Sequence, residues 1–491
     1  MTLSASQTIA ISTFMFILAG CYDPPMTPCT DTTTTGDTDS DTDSDTDSDT
    51  DTGDTTCTDG QLCTSPEVIW ARGFGSPVDD DEGTIDRGTD IVVDAAGNLY
   101  VSGIFNGTVD FGGGPLTSAG ENDIFVVSLN ADGEHRWSRR FGSEKHDIAH
   151  RLALTPDGGI IMVGGTHSTS VVEDELAVPA KFSGFVLKLG SEGAVQETVQ
   201  IKSSIASRVL DVAVDQGGNV FVVGGFFGEL QMDKPRPSVG DEDQFVVKLD
   251  NSLHTLWSWT HGDSGKDLAR GVAISSSGDV AITGFISKSK VQKYAHDVYV
   301  AMFGQEATPE WQHVFVSEVG FKDKGHDLQF LSGGDLVVTG FFSGDLDFGG
   351  GVMVSQGENE IFLARLSHAG DEIWAASYGA AGADAAHAII IDAEDRITIG
   401  GRYHDQVSFG GDTLEATAQD LFVASFTEHG EHLWSASYGG PGNDQTTGLA
   451  FDGEGNTYLS GWFTGTLNAG NPPPVAAESQ DVLVMKLAPC E

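Results

Sequence analysis

The sequence predicts an all-β fold in which one four-stranded unit is repeated seven times. Three positions recur at intervals of about 60 residues. A glycine ends the second strand of each unit, at Gly103, Gly164, Gly224, Gly284, Gly340, Gly400 and Gly461. An aromatic or apolar residue follows in the third strand, at Phe125, Phe185, Phe245, Tyr299, Phe362, Phe422 and Leu483. Tryptophan marks a fourth strand, at Trp70, Trp137, Trp257, Trp311, Trp374 and Trp434.

Each unit has the same order of strands and turns. A short apolar strand such as DIVVD is followed by a turn and then by LYVSG, IFVVSL and WSRRFG in the first unit. These segments alternate with the two-residue period of a strand, and helical periodicity is missing. Four strands repeated seven times predict a seven-bladed β-propeller of four-stranded blades. A β-solenoid is the alternative, but its coils are shorter and lack the four-strand pattern.

The two ends of the repeat region are incomplete in a complementary way. Residues 68–74 form a fourth strand that precedes any complete unit, and the last unit ends after its third strand at Leu487. In propellers the first strand of a blade is usually the inner one and the fourth is the outer one. We therefore predict that residues 68–74 pair with residues 481–487 and close a propeller domain at 64–491, which leaves no open edge.

The repeat resembles a known family at this point. The segment DIVVDAAGNLYVSGIFNGTVDFGGGPLTSAGENDIFVVSLNADG resembles the bacterial β-propeller repeat family known as SBBP, and the likeness extends over nearly all of residues 68–487. Its most specific features are FGGG at Phe111 and Phe348 and FGGD at Phe409, which the second to fourth units lack. The resemblance implies a propeller fold and an exported protein, and it supplies no catalytic residues.

The composition argues against a partner that carries many negative charges. The formal net charge is −48, with 73 acidic and 25 basic residues. Such a surface repels phosphate backbones and anionic headgroups, so we expect no nucleic-acid partner. A solvated acidic surface that keeps a secreted protein soluble is the simplest interpretation.

Residues 1–20 are predicted to be a lipoprotein signal peptide. An apolar run from about Ile9 to Leu18 is too short to span a bilayer as a mature helix, although no Lys or Arg precedes it. Leu18-Ala19-Gly20-Cys21 resembles the bacterial lipobox, which implies that Cys21 is lipidated and anchors the chain to the membrane. We expect an exported protein on the bacterial cell envelope, at the outer membrane or cell surface. An ordinary secretory signal with an incidental Cys21 is the alternative.

Residues 21–63 are predicted to be a disordered Asp/Thr/Ser-rich linker, an acidic tether before the propeller. The repeat DTDSDTDSDTDSDTDTGD has almost no apolar residues and carries dense like charge, so it cannot bury enough surface to offset ordering. Asp37, Asp39 and Asp41 have the spacing that begins a calcium loop. The turn glycine and the distal Glu are missing, which leaves weak, nonspecific cation binding at most.

Four cysteines remain after Cys21, and none lies inside the repeats. An exported chain favours disulfides. Closure of the ring brings Cys490 close to Cys63, so we predict a Cys63–Cys490 disulfide and pairing of Cys29 with Cys57. Chain-entropy models give such a bond about 4–5 kcal/mol. In the alternative pairing, Cys57 bonds to Cys63 and Cys490 bonds to Cys29.

Acidic residues recur with the blades at two positions. The first set is Asp86, Asp147, Asp267, Asp323, Asp384 and Asp444, with Ser207 in the third unit. The second set is Asp123, Asp243, Asp297, Glu360, Asp420 and Asp481, with Ser183 in the second unit. A residue repeated in nearly every blade is expected to accept backbone hydrogen bonds, whereas a catalytic pair needs carboxylates in distinct environments. Calcium at blade junctions, on Asp147, Asp267, Asp384 and Asp444, is the alternative. We expect no other cofactor.

Two further groups are candidates for ligand contacts. Four histidines lie near the loops that enter inner strands: His146, His150, His326 and His387. Some of them are expected to line one mouth of the channel. The alternative is that they are loop residues whose hydrogen bonds are satisfied locally. The least repeat-like loops carry a basic cluster that is a hypothetical patch for an acidic partner: Lys234, Arg236, Lys288, Lys290 and Lys293. Searches for HExxH, GxSxG, a phosphate loop and a dinucleotide fingerprint are negative, so no catalytic residue is predicted.

Two functional classes follow from these observations. The first is a noncatalytic binding or scaffolding propeller, monomeric and lipid-anchored, for a protein or polysaccharide ligand. The second is an extracellular polysaccharide-active hydrolase or lyase with its site in the channel, because propellers host such sites. Nonrepeated, convergent polar groups at the channel mouth favour the second class, and a uniform ring favours the first.

Overall fold

The computed structural model describes residues 63–76, 85–167, 181–287, 295–304, 306–317, 322–470 and 473–490. The predicted signal peptide and nearly all of the predicted linker lie outside this part of the chain. Cys21, Cys29 and Cys57 also lie outside it, so their lipidation and pairing stay predictions. No helix in the described residues is long and apolar enough to cross a membrane.

Seven four-stranded antiparallel sheets form the predicted propeller. From the inner to the outer strand, blade 1 is Arg87–Val93, Leu99–Phe105, Asp123–Leu129 and His135–Phe141; blade 2 is Ile148–Leu154, Ile160–Thr166, Ser183–Leu189 and Val195–Ile201; blade 3 is Ala206–Val214, Val220–Phe227, Asp243–Leu249 and Thr255–His261; blade 4 is Leu268–Ile274, Val280–Ile286, Asp297–Phe303 and Pro309–Phe315. Blade 5 is Lys324–Phe330, Leu336–Phe342, Glu360–Leu366 and Glu372–Tyr378; blade 6 is Ala385–Ile391, Ile397–Val407, Leu414–Phe426 and His432–Tyr438; blade 7 is Gln445–Phe451, Thr457–Leu467, Val475–Leu487 and Val68–Phe74.

The connections between second and third strands carry short β-ribbons. Three are separate two-stranded sheets in blades 1, 3 and 5: Thr108–Asp110 with Pro115–Thr117, Glu229–Gln231 with Pro235–Pro237, and Asp345–Asp347 with Val352–Val354. In blades 6 and 7 the ribbon continues the long second and third strands past a register shift, at His404/Gln406 and Thr464/Thr466. The FGGG and FGGD segments of the sequence lie in these ribbons of blades 1, 5 and 6.

Every inner strand contains a β-bulge, and the bulge explains the recurring glycine. In blade 1 the pairing with the second strand shifts between Gly88 and Asp90, so that Thr89 is the extra residue. A Cβ on the facing Gly103 would lie 2.0 Å from the carbonyl oxygen of Arg87. Only glycine fits against a carbonyl at that distance.

The same close approach occurs in all seven blades and corrects the sequence analysis in one of them. In blade 6 the glycine that pairs with Ala386 and Phe422 is Gly401, not the predicted Gly400. A Cβ on Gly401 would lie 2.0 Å from the carbonyl oxygen of Ala385. Two adjacent glycines satisfy the same sequence pattern, and only the pairing register distinguishes them.

The two ends of the chain complete blade 7 together. Strand Val68–Phe74 pairs antiparallel with Val475–Leu487, from Val68 opposite Leu487 to Phe74 opposite Val482. Just beyond it, the Ala488 amide donates to the Glu67 carbonyl at 2.8 Å. The predicted Cys63–Cys490 disulfide is confirmed, with Cα atoms 5.4 Å apart. The ring is thereby closed both by main-chain pairing and by a covalent bond.

The apolar core lies between neighbouring blades, and the repeated tryptophans join them at the outside. The Trp70 indole N–H donates to the Ala131 carbonyl at 3.1 Å, and that of Trp137 donates to the Ser191 carbonyl at 2.9 Å. Trp311 and Trp374 make the equivalent bonds to blades 5 and 6. Each of these side chains binds the last turn of the following blade, which accounts for the recurrence of tryptophan on outer strands.

Candidate binding site in the central channel

The first acidic set ties each blade to its predecessor. Asp147 accepts the Ser143 amide at 2.6 Å from the end of blade 1 and the His167 amide at 3.1 Å from its own blade. The other five aspartates also accept backbone N–H groups, among them Asp267 from Ser287 and Asp384 from His404. In blade 3, Ser207 accepts the Gly184 amide through its hydroxyl. These residues are parts of the frame.

Burial raises the pKa of several of these carboxyls. The pKa is raised to about 7 for Asp267, Asp323 and Asp444 and to about 6 for Asp384. The four residues considered for calcium, Asp147, Asp267, Asp384 and Asp444, lie at four different blade junctions, where each accepts a backbone amide. In the described part of the chain, no group of three or more His, Cys, Asp or Glu side chains could hold a metal ion.

The second acidic set lies at the start of the third strands. Asp123 accepts the Ala119 amide and the Arg140 guanidinium, both at 2.7 Å. Asp243 accepts the Val239 amide at 2.8 Å. These carboxylates fix the ends of the second-to-third-strand connections, and they also belong to the frame.

One arginine crosses the central channel. Arg151, on the inner strand of blade 2, donates to the carbonyl oxygens of Thr447 in blade 7 and His387 in blade 6, at 2.8 and 2.9 Å. Three carboxylates surround its guanidinium, at 3.4 Å for Asp90, 3.6 Å for Asp327 and 3.8 Å for Asp211. A single side chain therefore contacts five other blades. We call this group, Arg151 with Asp90, Asp211 and Asp327, the central layer.

The central layer is held by backbone bonds as well as by charge. Asp90 accepts the Leu152 amide and Asp211 accepts the Val272 amide, both at 2.7 Å, and Asp327 accepts the Ile389 amide at 3.2 Å. Burial raises the pKa of all three carboxyls and outweighs the attraction of Arg151. Burial lowers the pKa of Arg151, but the three carboxylates outweigh it, so the pKa is raised and the guanidinium stays charged.

The central layer separates two parts of the channel. A cavity of about 400 Å³ lies on the side where the inner strands end, and it is lined by apolar segments such as Ile91–Val93 and by the central layer itself. The opposite end, where the inner strands begin, is here called the proximal mouth. The inner-strand bulges lie between the central layer and this mouth.

The seven bulge residues differ between blades. Four residue types occupy this one position: Thr89, His150, Leu210, Arg270, His326, His387 and Thr447. The rings of His326 and His387 stack with centroids 4.8 Å apart, and a hydrogen bond of 2.8 Å joins His326 Nδ1 to the Ala386 carbonyl. The Thr447 hydroxyl donates to the Gly88 carbonyl at 2.9 Å.

Further cations stand at the proximal mouth, at or near the start of inner strands. Arg208 forms a bidentate pair with Glu242, at 2.6 and 2.8 Å, and Lys266 approaches the same carboxylate at 3.4 Å. The Lys324 ammonium lies over the ring of Phe285, 5.3 Å from its centroid, and forms no ion pair with the described residues. Arg87 lies over the Trp462 ring at 5.3 Å.

The electrostatics of the proximal mouth are dominated by positive charge. Burial, together with the charges of Arg208, Arg270 and Arg151, lowers the pKa of His150 to about 3. Burial and nearby cations also lower the pKa of His326 and His387 far below the usual value, so all three imidazoles are neutral. The pKa of Lys324 falls to about 8 and that of Arg270 to about 10, again through burial and neighbouring cations.

The structure separates the sequence candidates. Three of the four histidines, His150, His326 and His387, belong to the channel. The backbone carbonyl of His146 instead accepts His167 Nδ1 at 2.9 Å in a loop. In the basic cluster, Arg236 is bonded to the Ser258 hydroxyl at 2.8 Å and Lys234 is exposed. Lys288, Lys290 and Lys293 lie outside the described residues.

Sequence reasoning missed the cations of the channel. Arg151, Arg208, Arg270 and Lys324 were not singled out, although each is a basic residue on an inner strand. Aligning the seven inner strands by their bulges would have found Arg270, because it stands where other units have Thr, His or Leu. The bulge itself, however, is visible only in the pairing register.

The fold and the channel define the class: a closed, disulfide-linked seven-bladed β-propeller. No family model matches the chain. It is similar to an uncharacterized WD repeat-containing protein of Acanthamoeba polyphaga mimivirus, at 21% identity over 242 residues, which are 42% of this chain and 17% of that protein. The chain therefore spans far less than two thirds of the length of this relative.

Solved structures resemble the chain in fold. The propeller domain of the Trilobed protease from Pyrococcus furiosus is 8% identical, with 82% of this chain and 93% of that chain covered and a TM-score of 0.43. A puromycin hydrolase is 12% identical, with coverages of 82% and 55% and a TM-score of 0.44. The likenesses at these identities and scores concern the fold and carry no inference about activity.

Proposed function

We propose that this protein is an exported bacterial lipoprotein with SBBP-type repeats, whose propeller is a noncatalytic binding module for a protein or polysaccharide ligand of the cell envelope. In this proposal the acylated Cys21 anchors a monomer to the membrane, and the acidic linker holds the propeller away from it. The Cys63–Cys490 disulfide supports export, since such bonds form and persist in oxidising compartments.

The observation that carries the binding function is the nonuniform ring of bulge residues at the proximal mouth. The frame positions repeat the same residue types in nearly every blade, whereas the bulge position holds Thr, His, Leu and Arg. A rigid frame that carries different side chains at one end of a channel is an arrangement suited to recognition.

Convergent, nonrepeated groups alone would favour the enzyme class, but their chemistry supports binding. Glycoside hydrolysis uses two carboxyl groups that face each other across the scissile bond. The carboxylates nearest the proximal mouth are already engaged: Glu242 by Arg208 and Lys266, and Asp323 by the Ser343 amide. The three imidazoles are flanked by cations, and no carboxylate is among the groups that shift the pKa of His150.

Membrane anchoring is tested on the full chain expressed in a bacterium that processes lipoproteins. We expect incorporation of labelled fatty acid and recovery in the envelope fraction, with both lost in Cys21→Ser. Cys29→Ser is the matched control and should keep the label. An unlabelled, freely released wild-type chain would contradict the lipid anchor.

Ligand binding is tested with the mature chain extracted in mild detergent. We expect it to capture a defined envelope glycan or protein in an array screen, while the same preparation leaves polysaccharides undegraded. Chain cleavage of a polymer, abolished by Arg270→Gln, would support the hydrolase or lyase instead. Capture of nothing from the array would contradict the binding module.

A further inference from the structure

We propose that the proximal mouth of the channel is an oxyanion-binding site that takes a carboxylate or phosphate group of the ligand on Arg270 and Lys324. This inference rests on the proposed binding function and names the chemistry that the same site recognises. It implies a negatively charged ligand, although the net charge of the protein is also negative.

Arg270 is the central observation. No hydrogen bond or ion pair joins its guanidinium to another residue in the described part of the chain, and its Nε is buried without a hydrogen-bond partner. A partly buried, unpaired cation costs folding free energy, so its presence needs a reason outside the folded chain itself. An anionic ligand would complete the missing pair.

The neighbours of Arg270 add positive charge and leave it uncompensated. Glu242, a carboxylate at this end of the channel, is already shared by Arg208 and Lys266. Lys324 also depends on an aromatic contact rather than a carboxylate, because its ammonium lies over Phe285 and Phe341 at 5.3 and 5.6 Å. Two cations therefore remain for a ligand.

The hydrogen-bond chemistry of the mouth matches an oxyanion. A guanidinium presents a planar fork of donors that fits carboxylate or phosphate in a bidentate manner, and an ammonium adds three donors. His387 Nε2 is buried without a hydrogen-bond partner, and a neutral imidazole can donate one further N–H. The side chains come from blades 4, 5 and 6, and the charge of Arg270 lowers the pKa of both Lys324 and His387, which places the three groups near one another.

Selectivity follows from the contrast with the rest of the molecule. The chain carries a formal net charge of −48, so the outer surface repels anions generally. Arg270 and Lys324 are partly buried, and attraction between charges is stronger where water is partly excluded than at an exposed surface. An anion should therefore bind in the channel mouth and not elsewhere on the propeller.

The test measures binding of defined probes to the mature full chain by calorimetry at low and moderate salt. The probes are an oligogalacturonate as a source of carboxylate, inorganic phosphate, and a neutral dextran oligomer. We expect at least one oxyanion probe to bind, more weakly at higher salt, and dextran not to bind. Arg270→Gln and Lys324→Gln should each lower the affinity about 10-fold or more.

Arg396→Gln is the matched control, because Arg396 pairs with Asp392 at 2.6 Å in the turn that follows the inner strand of blade 6. It removes the same charge and should leave probe affinity unchanged. A readout of stability separates ligand binding from a structural role. Arg270→Gln should keep or raise the resistance to unfolding, because it removes an unpaired cation, whereas a structural arginine would lower it.

The outcomes distinguish this inference from the proposed function. Binding of galacturonate or of phosphate supports the site and identifies the source of the oxyanion. If an envelope ligand is captured with equal affinity by wild type and Arg270→Gln, the binding function stands and the oxyanion site is refuted. Failure of both oxyanion probes to bind the wild-type chain also refutes it.

Discussion

Replacement of Arg151 by methionine is expected to destabilise the propeller strongly. Methionine has similar length and packs well, but it cannot supply the charge that Asp90, Asp211 and Asp327 share. It also removes the donors for the carbonyl oxygens of His387 and Thr447. The variant would therefore lose the contacts that one guanidinium makes with five other blades.

The magnitude follows from burial and pairing. The side chains of Arg151 and its three carboxylate partners are 10–15% exposed, so water replaces the lost contacts only in part. Removal of one partner from a buried charge network typically costs about 3–5 kcal/mol. The adjoining cavity of about 400 Å³ can admit water, which favours the lower half of that range.

The assay is urea unfolding followed by tryptophan fluorescence at pH 8 and pH 5. The carboxyls of the central layer already have raised pKa values, and loss of the cation raises them further. They take up protons on acidification, so the loss in Arg151→Met should be smaller at pH 5 than at pH 8. Arg396→Met, at a partly exposed pair in a turn, is the control and should cost at most about 1 kcal/mol.

Two results would refute this reasoning. One is a loss in Arg151→Met that is no larger than the loss in Arg396→Met. The other is a large loss that is equal at the two pH values, because the cost would then come from packing and not from the unpaired carboxylates.

Three further predictions concern the frame. Cys490→Ser should lower the free energy of unfolding by up to about 4–5 kcal/mol, measured by urea titration, because it opens the bond that joins the ends of the ring. Gly340→Ala should cost about 1–3 kcal/mol or more in the same assay, because its Cβ would lie 2.0 Å from the Lys324 carbonyl, whereas Gly333→Ala has nothing within 4 Å and should be nearly neutral. The melting temperature, measured by calorimetry, should be higher at pH 5 than at pH 8. Burial raises the folded-state pKa to about 7 for Asp267, Asp323 and Asp444. The stability that these protonated carboxyls contribute is complete below their unfolded pKa and is lost as the pH rises through about 7.

Each of these predictions has a distinct point of failure. Wild type under reducing conditions should match Cys490→Ser, and a difference between them would mean that the serine acts through packing. Equal stability of Gly340→Ala and Gly333→Ala would contradict the close approach at the bulge. Asp323→Asn should reduce the pH dependence of melting, and an unchanged slope would assign that dependence to other groups.

Much of the frame was predictable because its determinants are local and repeated. The two-residue alternation predicts strands, and the count of units predicts seven blades. The tryptophans and the first acidic set recur because most blades make the same bond to a neighbour, as Trp137 does to Ser191 and Asp147 does to Ser143. The place of Cys63 and Cys490 followed from the incomplete units at the two ends.

The channel was much less predictable. Arg151 lies 236 positions from His387 and 296 from Thr447 in sequence, and no repeat relates these partners. The choice of Gly401 over Gly400 depends on pairing register, which local pattern does not specify when two glycines are adjacent. The three channel histidines were suspected from position, but their cationic surroundings come from other blades.

The sequence by itself determined the strand pattern, the number of blades and the seam at which the ring closes, because those features rest on local alternation and on comparison between copies. The tertiary structure alone decided what the channel contains. Closure of seven inner strands around one axis brings together side chains that are far apart in sequence, and it leaves Arg270 without a partner beside a central layer in which every charge is paired. Packing in three dimensions, and not the repeat, therefore creates the candidate binding site.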